Sequence, residues 1–236
     1  DANGGTDLTE VNLAATDQTT DTPTNNFCTL NPLTTNNSSY TFAEGNTKAT
    51  SSTSWLGSVG TIAMGSGKWY WEVSYGAGNF GSGIGQLLND ATETIKLSTA
   101  NEGYSSKYSR GYEYVVNGGY SRRINNDSHS TYGSVPSGDD IIMIAFDADN
   151  GIIWTGENGT WNASATEGEI EAGTTTNAMY SSINMDQPYL PTASIESGNL
   201  SYNFGNPAYA NSSDAADGNG YGAFEYAPPS GYYALC

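Results

Sequence analysis

Apolar and polar residues alternate along much of this chain with a period of two, the spacing that puts every second side chain on one face of a β-strand. In Lys68-Trp69-Tyr70-Trp71-Glu72-Val73-Ser74-Tyr75, Trp69, Trp71, Val73 and Tyr75 share one face, and Tyr70, Glu72 and Ser74 share the other. Ile141 to Phe146 is a continuous apolar run. Asp149-Asn150-Gly151 then breaks it before Ile152-Ile153-Trp154, the pattern of a central hairpin closed by an Asn-Gly turn. Asn117-Gly118 likewise separates Tyr112 to Val116 from Tyr120, Asn158-Gly159 precedes Trp161, and Leu200 to Phe204 alternates up to Gly205. Helical periodicity is missing. The stretch Gly85 to Asp90 is too short for a stable helix and runs into the β-favouring Thr92-Glu93-Thr94-Ile95. Many short strands punctuated by Gly, Asn and Pro predict an all-β sandwich.

Residues 1–26 are Thr, Asn, Asp and Ala with scattered apolar positions and neither period, so they read as an extended lead-in or linker. Residues 27–236 read as one sandwich domain, long enough to bury a core without metal or disulfide staples. The first residues, Asp1-Ala2-Asn3-Gly4-Gly5, include neither a Met nor a basic-then-apolar signal segment, so a longer parent protein is expected. No apolar run approaches the roughly 18 residues that span a bilayer as a helix.

Composition narrows the partners. Seven Lys and Arg against 25 Asp and Glu give a formal charge of −18, which repels phosphate backbones and anionic lipid heads, so neither nucleic acid nor membrane is an expected partner. Only 14% of residues are charged while Gly (29) and Tyr (17) abound, so surface polarity must come from Ser, Thr and Asn, as suits an exposed, extracellular or particle-borne protein.

Certain residues carry a resemblance. Trp69-Tyr70-Trp71-Glu72-Val73, Gly83-Ile84-Gly85, Gly138-Asp139-Asp140-Ile141 and Phe146 to Trp154 follow one another as the landmarks of SPRY domains do. Glu157-Asn158-Gly159-Thr160-Trp161, Tyr189 to Ser194 and Asn203-Phe204-Gly205 continue the series, so the resemblance covers roughly Tyr40 to Cys236. It implies a bent two-sheet antiparallel β-sandwich, a concanavalin-like jelly roll, whose loops bind protein or glycan without cofactor and without catalysis. Asn26 to Leu33 and Pro228 to Cys236 further resemble SPRY-containing proteins of tailed bacteriophages. That likeness implies a structural or adhesion protein on the virion surface, as a capsid decoration or tail-fibre component. Expected partners are neighbouring virion subunits, with homo-oligomerisation, or a host-surface glycan or protein. The alternative is a secreted carbohydrate-binding module or lectin on the same fold.

Catalytic and cofactor motifs fare poorly against their bland readings. Gly76-Ala77-Gly78-Asn79-Phe80-Gly81 matches GxGxxG, but dinucleotide binding needs a helix next and Ser82-Gly83-Ile84-Gly85 does not supply one; a glycine-rich strand connection is the reading. Asp147 to Gly151 fits a hairpin turn better than a calcium loop, and no metal ligands are assigned. Glycoside hydrolysis on this fold would want ExDxE or ExDxxE. The nearest stretch, Glu167-Gly168-Glu169-Ile170-Glu171, lacks the Asp and reads as a solvated loop. His129, the sole histidine, sits in the polar stretch from Asn125, with no GxSxG to complete a triad, and reads as a solvent or partner contact. Cys28 and Cys236 lack metal or redox spacing. They either form a bridge between the two ends of the domain or stay reduced.

One region stands apart. Lys107, Arg110, Arg122 and Arg123, four of the seven basic residues, lie between Tyr104 and Tyr132 among tyrosines spaced by Ser, Gly and Asn. Tyr offers large contact area at low entropy cost and Arg adds bidentate and stacking contacts, so Tyr104, Tyr108, Arg110, Tyr120, Arg122 and Arg123 are the candidate partner-binding residues. Tyr112 and Tyr114 are assigned to strand packing, and Trp69, Trp71, Trp154 and Trp161 to the core.

Overall fold

The computed structural model describes residues 26–35, 38–53, 55–86, 110–125 and 128–236. Apart from Asn26, the expected lead-in lies outside them, as do Tyr104, Lys107 and Tyr108.

Two long strands organise the fold: β4 (Lys68–Gly85) and β11 (Leu190–Asn203) run antiparallel along most of their lengths. Both bend where the register slips between Glu196 and Asn199. Gly78, at φ +82°, sits at the bend, where an added Cβ would lie 2.5 Å from the carbonyl oxygens of Glu196 and Ser197. The approach of the two backbones there thus requires glycine. The GxGxxG match is explained by this: Gly76 to Gly81 are strand residues at the bend, inside one continuous strand rather than between two.

On one side of the bend, β4 pairs with β8 (Ile141–Asp147), which pairs with β9 (Ile152–Glu157) and β9 with β10 (Thr160–Trp161). There β11 pairs with β2 (Lys48–Ser51), and β2 with β1 (Tyr40–Ala43). On the other side, β11 takes β3 (Leu56–Val59), and β4 takes β5 (Gly111–Asn117), then β6 (Tyr120–Asn125), then β7 (Ser128–Thr131) at the edge. The two halves fold over one core: Trp71, Val73, Ile142, Ile144 and Leu200 come from the first, and Phe80, Tyr114, Val116, Ala193 and Ile195 from the second. All the pairings are antiparallel save that of β12 (Tyr233–Ala234), which runs parallel to β4 beside Trp69 and Tyr70, where β11 has ended.

The unbroken apolar run of β8 follows from burial on both faces. Ile142, Ile144 and Phe146 enter the main core, while Met143 and Ala145 join Tyr70, Ile152 and Trp154 in a second one. That second core is capped by Phe224, Tyr232 and Ile170. Ile170 belongs to a helix, α1 (Glu167–Glu171), where a solvated loop was expected. Its capping box, with Thr166 and Glu169 exchanging hydrogen bonds, was readable as Thr-x-x-Glu, and burial of Ile170 holds the short turn in place.

The face of β4 that carries Glu72 is as buried as the opposite one. Glu72 Oε1 accepts from the Tyr226 amide (2.7 Å) and the Tyr70 hydroxyl (3.0 Å). Its Oε2 accepts from the Tyr209 hydroxyl (2.9 Å), the Glu225 amide (3.0 Å) and Asn203 Nδ2 (3.1 Å). One carboxylate thereby fastens the C-terminal segment onto the sheet. The ends of the domain do meet, the Cys28 amide donating to the Leu235 carbonyl at 2.8 Å, but the Cys28–Cys236 bridge is not formed. Cys28 is buried with its thiol on the Thr29 carbonyl, whereas Cys236 is exposed, and both are free.

Candidate functional site

Strand alternation decides where the predicted contact residues go. Arg122 pairs with Val115 and Arg123 with Tyr114, a core residue, so the two adjacent arginines point to opposite faces of β6. Tyr120 lies on the Arg122 face, 62% exposed, with the guanidinium over its ring at 5.1 Å. Arg110 precedes β5 at the end away from Tyr120, roughly 20 Å along a strand of that length. It pairs there with Asp186 and donates to Gln86 Oε1 at 2.9 Å, and its guanidinium holds the Asp186 carboxyl below the ordinary carboxylate range. The described part of the expected patch is thus three separate places. Tyr114 is fully buried and Tyr112 packs edge-on to Tyr180 at 5.1 Å, both in strand packing as expected. Trp71 and Trp154 are fully buried, and Trp69 packs against the main core.

Arg123 lines a cavity. A cleft of about 470 Å3 opens at the sheet edge between β6–β7 and the loop that follows α1. Arg123, Asn125, Ser128, His129 and Ser130 form the strand wall; Thr175, Ala178, Met179, Tyr180 and Ser181 form the loop wall. The loop is held by β9, since the Met179 amide donates to the Ile153 carbonyl (2.9 Å) and the Ile153 amide to the Tyr180 carbonyl (3.0 Å). Arg123 ties the walls together: Nε donates to Ser130 Oγ and Nη1 to the Met179 carbonyl, each at 2.8 Å. Its guanidinium lies 5.6 Å from the Tyr180 ring centre and 5.9 Å from that of Tyr132, within cation–π range. Burial pushes the Tyr180 hydroxyl up to about 12, although Arg123 opposes the shift, so the phenol keeps its proton at neutral pH.

None of the ten described residues that line the cleft is acidic, in a chain with 25 acidic residues. Eight of them carry a hydroxyl, amide, imidazole or guanidinium, and the volume lies within the roughly 300–1,000 Å3 of small-molecule sites. Of the cleft, sequence reasoning had selected Arg123 and had weighed His129 as a partner contact; it missed Asn125, Ser130 and Tyr180. Nothing local marks Tyr180, because its place opposite β6 comes from a bridge to β9 and not from any period of its own.

No family model matches the chain, and no curated protein matches it. Among solved structures, stonustoxin is similar over 75% of this chain with a TM-score of 0.52 and 17% identity. The match takes in 27% of the stonustoxin chain, so this protein spans about a quarter of it. The PSpry domain of TRIM65 is similar over 75% of this chain and 92% of its own, with a TM-score of 0.51 and 13% identity. These likenesses, together with the bend shared by β4 and β11, establish the architecture: the chain has a SPRY-like β-sandwich fold.

Proposed function

We propose that the protein is a non-catalytic structural or adhesion component of a virion surface, acting through contacts with neighbouring subunits or with a host-surface glycan or protein. The observation that supports a binding role is the hydroxyl-rich and aromatic-backed cleft at Arg123, none of whose described lining residues is acidic, bordered by the exposed edge strand β7. An edge strand also offers unpaired backbone groups to a second chain, which suits assembly. Placement on a phage particle rests on the sequence resemblance of Asn26 to Leu33 and Pro228 to Cys236 alone. A protein inventory of purified virions tests the placement, and its absence from them would sink it. A glycan-array and host-cell assay on the purified chain, with sedimentation to read self-association, tests the binding role.

The second reading, a secreted lectin-like module, is favoured by the same cleft. Glycan affinity in a strictly monomeric protein with no virion association would select it.

A further inference from the structure

An Asn-Gly pair closes a turn, and it also brings a backbone nitrogen within reach of a side-chain amide, with no Cβ on the glycine to block the approach. The described residues contain four such pairs, Asn117-Gly118, Asn150-Gly151, Asn158-Gly159 and Asn219-Gly220, and all four asparagines are exposed. Exposure does not tell them apart, but hydrogen bonding does. Asn150 Nδ2 donates to Asp147 Oδ2 at 2.9 Å, and Gly151 is packed so closely that an added Cβ would lie 2.4 Å from the Ile183 carbonyl oxygen. Asn158 is held through both carboxamide atoms, Nδ2 donating to Asp140 Oδ1 (2.7 Å) and Oδ1 accepting from the Ile141 amide (2.9 Å). At Asn219 its own amide donates to Asp217 Oδ1 (2.8 Å) and that of Gly220 to the Asp217 carbonyl (2.9 Å). The same carboxylate also holds the amides of Tyr221 and Ala234, so that turn is tied on every side.

Asn117 differs. Its carboxamide has no hydrogen bond to a described residue, and Cβ atoms added at Gly118 and Gly119 would meet nothing within 4 Å. The restraint is a single bond, from the Gly118 amide to Asn79 Oδ1 at 3.1 Å. We infer that Asn117 is a site of spontaneous deamidation, restrained by Asn79. The Gly118 nitrogen gives its proton to solvent and bonds to Asn117 Cγ; the Cγ–Nδ2 bond breaks and ammonia leaves. Water then opens the succinimide at either carbonyl, leaving aspartate or isoaspartate at position 117. Asn117 pairs with Tyr120 and Val115 with Arg122, so the new carboxylate stands on the Tyr120–Arg122 face, diagonal to Arg122. The modification does not depend on the binding role proposed above.

The test is peptide mapping by mass spectrometry of the full chain kept in mildly alkaline buffer, with a parallel sample in urea. In urea the four pairs react at comparable rates. In the native protein position 117 converts at least about tenfold faster than 150 or 158, a barrier difference of about 1.4 kcal/mol, and ahead of 219. Asn79→Ala speeds conversion at 117 several-fold and leaves 150 and 158 unchanged, with the melting temperature reporting that the fold is kept. Should Asn79→Ala fail to fold, the comparison of native and urea samples decides alone. Asn117 staying intact in the native protein while the urea sample converts, or equal native rates at the four positions, overturns the inference. So does a folded Asn79→Ala variant that converts at the wild-type rate.

Discussion

Glu72→Ala is the substitution from which this fold has most to lose. The carboxylate is fully buried and accepts five hydrogen bonds, two from backbone amides of Glu225 and Tyr226 and three from Tyr70, Asn203 and Tyr209. A buried donor left unsatisfied costs about 1–3 kcal/mol, but water entering the vacated space would recover several of the five. Removing the charge also removes its desolvation penalty. The net expectation is a loss of about 3–5 kcal/mol, a large share of the roughly 5–15 kcal/mol that holds a typical domain. The loss is also local: all the donors except Tyr70 and Asn203 belong to the C-terminal segment, so amides between about residues 205 and 226 should lose hydrogen-exchange protection before those of β8. Urea unfolding followed by circular dichroism gives the magnitude, and hydrogen exchange read by mass spectrometry gives the place. A variant within about 1 kcal/mol of wild type, or one whose protection falls evenly across the sandwich, would refute the claim that this carboxylate fastens the segment.

Three further expectations use other features. Burial raises the Glu72 carboxyl above its ordinary 4.5 against the opposing hydrogen bonds from Tyr226, Glu225, Tyr209 and Tyr70. The folded state therefore keeps the proton to higher pH than the unfolded chain, and this group's contribution falls as pH rises from the ordinary value through the folded one. The stability difference between wild type and Glu72→Gln should accordingly shrink or reverse above about pH 4.5; a pH-independent difference contradicts it. Gly78→Ala should cost about 3 kcal/mol or more, because left-handed φ and backbone contact add, whereas Gly119→Ala, at φ +81° in open space, should cost about 1. Similar midpoints for the two in urea would remove the argument that the bend needs glycine. In the native protein an aromatic disulfide reagent should titrate exposed Cys236 quickly and Cys28 only after unfolding, since burial pushes the Cys28 thiol up to about 11. Rapid loss of both thiols would show that Cys28 is reachable.

The strands and their turns were legible because their causes are local. Alternation in Trp69 to Tyr75 and the Asn-Gly pairs at Asn117, Asn150 and Asn158 fix extended backbone and tight reversal within a few residues, whatever lies across the fold. The all-β class, the packing of Trp71 and Trp154 and the placing of Tyr112 and Tyr114 in strand packing follow from that. The period of two says which residues share a face but not what covers the face. Alternation put Glu72 on one face with Tyr70 and Ser74, and only a segment more than a hundred positions away makes it the buried anchor of the C-terminal region. Arg122 and Arg123 looked like one patch, and the pleat sends them to opposite sides of β6. The cleft itself exists because a bridge to β9 sets Tyr180 opposite the β6–β7 edge. Side-chain period and turn chemistry act over nearest neighbours and are written in the chain, whereas burial and concavity arise where distant segments meet, and those were decided by the tertiary structure.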